Sequence, residues 1–308
     1  MEPTPFSERY QKIKPGVVAI VAALSKNGDF PDILGTGFIA REDGLIITNN
    51  HVVQLIRQLP RRKGAPEDEW PIKVLYLENI PGKGMASAYL EVEGVGTLER
   101  EKPIDGHYYG PEIPDVGFIF VKVRGLPFLE VEETIEIKEG DEIYVAGFPM
   151  GTRTLRAPGW IHQINPVLQR GILSAMQPFP CDKPHGYLID VVAQGGSSGS
   201  PIFNPKTGKI AALLYGGIPE RNTIRLPGGS GLPYTYGTSL TLAIPSPIIS
   251  ALLKMDMHDR KTNEVDQRDA SKYPTLAEFF ELHEMKIRTP RSSEPATAKL
   301  SPSDSNQE

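Results

Sequence analysis

The sequence predicts an all-β protein made of two groups of short strands, with short helices and a polar C-terminal tail. Three observations carry this. Apolar runs rich in Val, Ile and Leu recur at short spacing along most of the chain. The 30 glycines and 29 prolines supply turns between them. Long stretches of helical periodicity are almost absent, which points to barrels or sandwiches.

Residues 1–13 read as an N-terminal extension and 14–127 as the first strand group. The apolar run 17–24 is far shorter than the ~20 residues of a membrane helix, so it reads as a buried strand. Strands at 35–40 and 45–48 flank Asp43-Gly44, a strong hairpin signal. A helical turn is expected to start near Asn49, and 57–70 is polar enough for an exposed loop. Strands resume at 72–77, 89–98 and 116–123.

The second group, 128–254, offers strands at 142–147, 167–174, 187–193, 202–203, 210–215 and 240–244. The glycine- and proline-rich stretches 148–165, 176–186 and 216–237 read as loops, and 247–255 as a short closing helix. In the tail, 255–308, Thr275 and Glu278 fit a capping box. Leu276, Phe279, Phe280 and Ile287 fall on one face of a helix over about 274–287. From Thr289 the composition is Ser/Pro/Glu-rich, and disorder is expected.

A net charge of -5 gives no electrostatic case for nucleic acid. A single cysteine, Cys181, excludes an internal disulfide framework and a cysteine zinc cluster. No cofactor or metal motif is present. The first residues lack the basic start and apolar core of a signal peptide, so the expectation is a cytoplasmic protein with no membrane partner.

The stretch Gly195-Gly196-Ser197-Ser198-Gly199-Ser200-Pro201-Ile202 lies between two apolar runs. Glycines on both sides of a serine let the backbone turn tightly and approach a ligand. An exposed hydroxyl with backbone N–H groups beside it is what a nucleophilic serine needs. A Gly/Ser loop between strands is more often an ordinary turn, so other residues must decide. His51 closes a strand in Ile47-Thr48-Asn49-Asn50-His51-Val52-Val53, and Asp115 opens one in Asp115-Val116-Gly117-Phe118. Histidine, aspartate and serine, in that order along the chain, suit a base, the group that orients it and a nucleophile.

These segments resemble the trypsin-like serine peptidases, and within them the HtrA (Deg) branch. Gly35-Thr36-Gly37-Phe38-Ile39 with 43–53 is similar to that branch's histidine block, and 138–149 to its Gly-Asp strand and Gly-x-Pro turn. Gly171-Ile172-Leu173-Ser174 and Leu242-Ala243-Ile244-Pro245 resemble two further blocks. The resemblance implies a chymotrypsin-like double β-barrel of six strands each, acting on polypeptide substrates. It implies His51 as base and acid, Asp115 as its orienter and Ser198 as nucleophile. The Gly196 and Ser198 N–H groups would form the oxyanion hole. By the same alignment the primary pocket has its base at Val192 and Ala193 and its wall at Leu213, Leu214, Tyr215, Gly216 and Gly217. With no carboxylate there, cleavage after small or aliphatic residues is expected. Ser200 departs from the glycine usual at its position, and Leu214 or Tyr215 stands where relatives back the aspartate with serine. The tail is too short and polar for the branch's PDZ domain. Phe6 and Tyr10 precede the first strand where family trimers use aromatics, a hint of a homo-oligomer. A catalytically silent peptide-binding barrel is the alternative function.

Overall fold

The computed structural model describes residues 5–23, 32–80, 84–97, 114–151, 165–178, 183–225, 231–262 and 269–282. The first barrel contains β1 (Val17–Ala22), β2 (Ile33–Ile39), β3 (Leu45–Thr48), β4 (Ile72–Ile80), β5 (Gly84–Thr97) and β6 (Gly117–Val121). They close in the order β1-β2-β3-β6-β5-β4. The second contains β7 (Glu142–Gly147), β8 (Val167–Gln177), β9 (Gly186–Asp190), β10 (Pro201–Phe203), β11 (Ile210–Arg225) and β12 (Gly231–Pro245), closed as β10-β11-β12-β9-β8-β7. Closure removes the free strand edges that an open sheet would leave. Among the described residues, four α-helices, α1 (Phe6–Ile13), α2 (Asn50–Arg57), α3 (Ser246–Thr262) and α4 (Leu276–Leu282), and two short 3-10 turns, Lys14–Gly16 and Ala270–Lys272, accompany the strands.

Alternation along the strands builds three apolar cores. Val18 and Ile20 of β1 point into the first barrel with Ile39, Ile46, Val74 and Leu90. Their neighbours Val17, Ala19 and Val21 point the other way, into a cluster shared by both barrels through Phe38, Ile47, Phe148, Phe203 and Leu213. Burial on both faces explains why β1 reads as an unbroken apolar run. The second barrel fills with Ile143, Val145, Tyr187, Ile189, Ile202 and Leu214.

Three differences from the sequence reading have physical causes. The stretch read as a loop from Gly216 continues as a two-stranded ribbon, with Pro219 to Arg225 of β11 paired to Gly231 to Gly237 of β12. Its side chains are exposed on both faces, so no hydrophobic alternation marks it. The Phe6 and Tyr10 rings are buried within the chain's own core. Phe6 stacks on Tyr144 at 4.5 Å and lies 5.9 Å from Phe203. These rings are committed to the second barrel of the same chain, which removes the support they lent to a trimer. α3 is longer than the closing helix expected from 247–255.

α4 covers the first barrel. The Thr275 hydroxyl accepts the Glu278 N–H at 3.3 Å, and the Glu278 carboxylate accepts the Thr275 N–H at 2.7 Å, a reciprocal cap. Thr275 also bridges to Arg124, Phe279 is buried in the barrel core and Phe280 meets Tyr76 at 6.2 Å. Ile287 and the Ser/Pro/Glu-rich end lie outside the described residues, as does most of 148–165.

Candidate active site

His51 stands in the first turn of α2, where the backbone N–H groups have no partner inside the helix. Asn49, the residue before the helix, makes no side-chain cap. The cap comes instead from Asp115, just ahead of β6. Its Oδ1 accepts the His51 backbone N–H at 2.8 Å, and its Oδ2 lies 2.6 Å from His51 Nδ1. One carboxylate thus holds both the helix end and the imidazole ring. A carboxylate only accepts, so Nδ1 carries a proton, and in the neutral ring Nε2 presents the lone pair. Asn49 Nδ2 donates to the Asp115 carbonyl at 2.9 Å and fixes the other side of that residue. The His51 side chain remains 48% exposed against 19% for Asp115, so the free edge of the ring is open.

Ser198 sits in a double turn between β9 and β10. Ser197 N–H donates to the Gln194 carbonyl at 2.9 Å, and Ser200 N–H to the Ser197 carbonyl at 3.0 Å. The third residue of each turn is glycine with positive φ, +92° at Gly196 and +85° at Gly199. Only glycine takes that geometry without strain. A side chain would not fit in either place: a Cβ at Gly196 would lie 2.3 Å from the Phe148 carbonyl oxygen, and one at Gly199 2.1 Å from that of Thr36. Gly199 N–H donates to the Leu214 carbonyl at 3.0 Å. Among the described residues, the Gly196 and Ser198 N–H groups have no hydrogen-bond partner.

Thr36 of β2, fully buried, joins the two halves. Its N–H donates to the Ser198 carbonyl at 2.8 Å and its hydroxyl to the Gly196 carbonyl at 2.7 Å. The same hydroxyl accepts the Phe148 N–H at 3.0 Å, while Thr48 Oγ1 donates to the Thr36 carbonyl at 2.7 Å. The serine turn of the second barrel is therefore anchored to the strands that lead into His51. Thr36 and Asn49 were not singled out as site residues by sequence reasoning. The signal available was their place beside the glycine pair and the histidine.

The seven pocket residues separate into two sets. Leu213 and Leu214 are 0% and 1% exposed, packed in the shared core and the second barrel core, so their side chains form no open wall. Their neighbours on β11, Gly216 and Gly217, leave room, and a Cβ at Gly217 would lie 3.6 Å from Ala193 Cβ. Val192 is exposed. Tyr215 packs against the shared core. Burial, and then the charge of Asp115, hold its phenol above the usual value. Tyr215 thus lies within the field of the Asp115 charge, while Leu214 is buried in the second barrel core.

Residues 35–213 match the family model described as trypsin-like peptidase domain, more than half of the chain. The chain belongs to the trypsin-like peptidase family, in line with its pair of closed barrels. Among curated proteins it is similar to a DegP-like periplasmic serine endoprotease of Ectopseudomonas mendocina, 26% identical over 213 residues, covering 68% of this chain and 34% of that protein. A protein of the same name from Halomonas elongata is 29% identical over 171 residues, covering 56% of this chain and 27% of that one. The chain spans about a third of the length of such relatives. The structure of the HtrA-type protease AlgW with a decapeptide has a similar fold, with TM-score 0.50 and 16% identity over 83% of this chain and 68% of that one. The relatives are named as periplasmic, which overturns the cytoplasmic expectation drawn from the first residues.

Proposed function

We propose that this protein is a serine endopeptidase that cleaves exposed or unfolded polypeptide segments through an acyl-enzyme. The observation that carries the reading is the Asp115 carboxylate gripping both the backbone and Nδ1 of His51. That grip leaves Nε2 to take the Ser198 Oγ proton as the oxygen attacks the substrate carbonyl. The carbonyl oxygen, now negative, is received by the Gly196 and Ser198 N–H groups. His51 returns the proton to the leaving amine and the C–N bond breaks. Water then repeats the sequence with His51 as base, releasing the acid and restoring Ser198. The names of the relatives, serine endoproteases, and the peptide bound to AlgW support polypeptide as the substrate class.

Specificity follows from the residues around Ala193 and Gly217. Val192, Ala193, Tyr215, Gly216 and Gly217 bring no carboxylate to pair a lysine or arginine head, and an unpaired buried charge is costly. Cleavage after small or aliphatic residues is the expected preference, with discrimination of about 1–3 kcal/mol per methylene.

A fluorophosphonate probe tests the reading. Labelling should map to Ser198, and Ser198→Ala should abolish it and lower turnover of an unfolded casein substrate about a millionfold while the fold persists. A folded protein that neither labels nor cleaves would support the silent peptide-binding barrel instead.

A further inference from the structure

We propose that Ser200 is a positioning residue that aims the Ser198 N–H at the substrate oxyanion. This rests on the peptidase reading above and adds a group to it.

The argument starts from the peptide joining Ser197 to Ser198. Its carbonyl oxygen accepts two hydrogen bonds from one residue, the Ser200 N–H at 3.0 Å and the Ser200 hydroxyl at 2.6 Å. A peptide group is planar and trans, so its N–H points opposite to its C=O. Pinning the Ser197 carbonyl therefore turns the Ser198 N–H away from Ser200, and no described residue accepts that N–H. Both lone pairs of the carbonyl are engaged, so rotating this plane would break two bonds at once. The Ser200 side chain is 1% exposed, which denies its hydroxyl an alternative partner in bulk water.

The chain makes room for this hydroxyl. A Cβ at Gly147 would lie 1.9 Å from Ser200 Oγ, so the glycine that ends β7 and the serine fit as a pair. The family resemblance expects glycine at position 200, which would supply the backbone bond and not the hydroxyl bond. The other N–H of the proposed hole is held differently. It belongs to the Gly195–Gly196 peptide, whose carbonyl has no partner among the described residues. Nothing lies within 4 Å of the Cβ position at Gly195. Of the two donors, Ser200 secures one and leaves the other to the glycines.

The test compares wild type with Ser200→Ala, using a fluorogenic peptide for kcat and KM, a peptide boronic acid as transition-state mimic, and thermal melts. The expected result for Ser200→Ala is a kcat about tenfold lower, below the 10²–10³ lost when such a donor is removed outright. KM should stay within about twofold and the boronate Ki should rise about tenfold, because the N–H matters only when the oxyanion is present. Ser200→Gly gives the same readout should alanine lower the yield. Unchanged kcat and Ki in an active enzyme would overturn the inference. So would a loss that appears only as a lower melting temperature, which marks a packing role. A wild-type protein inert to both boronate and fluorophosphonate would overturn the peptidase reading and this inference with it.

Discussion

The two barrels hold the proposed catalytic groups by opposite means. In the first, His51 and Asp115 stand at the ends of regular elements, and each is fixed by hydrogen bonds within its own barrel. In the second, Ser198 rides on a turn with no regular structure. Two of its carbonyls, at Gly196 and Ser198, are held by Thr36 of the opposite barrel. The proposed base is held within one barrel, and the turn that carries the proposed nucleophile is held across the seam. Damage to the first barrel's pair should therefore remove chemistry and spare the fold. Damage at the seam should cost the fold and the chemistry together.

The largest effect tests the first half of that contrast. Asp115→Asn keeps an oxygen for the helix N-terminus but offers an amide where His51 Nδ1 needs an acceptor, which favours the wrong tautomer. We expect kcat to fall about 10⁴-fold with little change in melting temperature. A parallel collapse of both would show that the carboxylate is chiefly a structural cap.

The second test strikes the seam. Gly199→Ala forces a side chain into a positive φ and against the Thr36 carbonyl. The expected cost is about 4 kcal/mol of unfolding free energy, from backbone strain plus overpacking, with activity lost alongside. Urea melts measure it, and a stable, active variant would show that the turn can detach from Thr36 at little cost.

Phe279→Ala probes the cover of the first barrel. The ring is buried against that barrel's core. Stability should drop by about 3 kcal/mol with kcat within about twofold of wild type. An equal loss of kcat per folded molecule would mean that α4 supports the site.

The smallest effect concerns the link between the barrels. Glu132 is buried, with Oε1 accepting Asn204 Nδ2 at 2.8 Å and Thr207 Oγ1 at 2.7 Å, while Oε2 has no partner among the described residues. Burial raises its carboxyl above the ordinary value, against the lowering by those two hydrogen bonds. A raised carboxyl binds its proton more tightly in the folded chain. Its contribution is complete below the ordinary carboxylate value, about 4.3, and is lost as pH rises through the folded value. Glu132→Gln removes that dependence. Between about pH 4 and 7 its melting temperature should gain on wild type as the pH rises. Parallel curves would show that Glu132 titrates alike in both states.

Much of the fold is legible because burial leaves a period. β3 and β7 follow from apolar runs between turn residues, and the double burial of β1 follows from its lack of polar positions. Thr275 and Glu278 announced a cap because a reciprocal pair has a fixed spacing. The ribbon beyond Gly216 left no such trace, since exposed strands need no alternation. For Phe6 and Tyr10, apolar character is visible in sequence, but the surface that receives it is not. Leu213 and Leu214 show the same limit, for their place in a strand does not say which core each one fills.

Residue type, chain order and the resemblance of the surrounding segments together marked His51, Asp115 and Ser198 as candidates for base, orienter and nucleophile. The strand pattern alone gave two groups of buried strands, fit for barrels or sandwiches, and the resemblance implied that they close as two barrels. Tertiary structure decided which carbonyls the serine turn shows to Thr36, which oxygen of Asp115 meets the helix end, and which N–H groups are left unbonded. These depend on backbone N–H and C=O groups that nearly every residue carries alike. A sequence therefore records where hydrophobic surface must go, and the final aim of a peptide plane emerges only when distant strands close on one another.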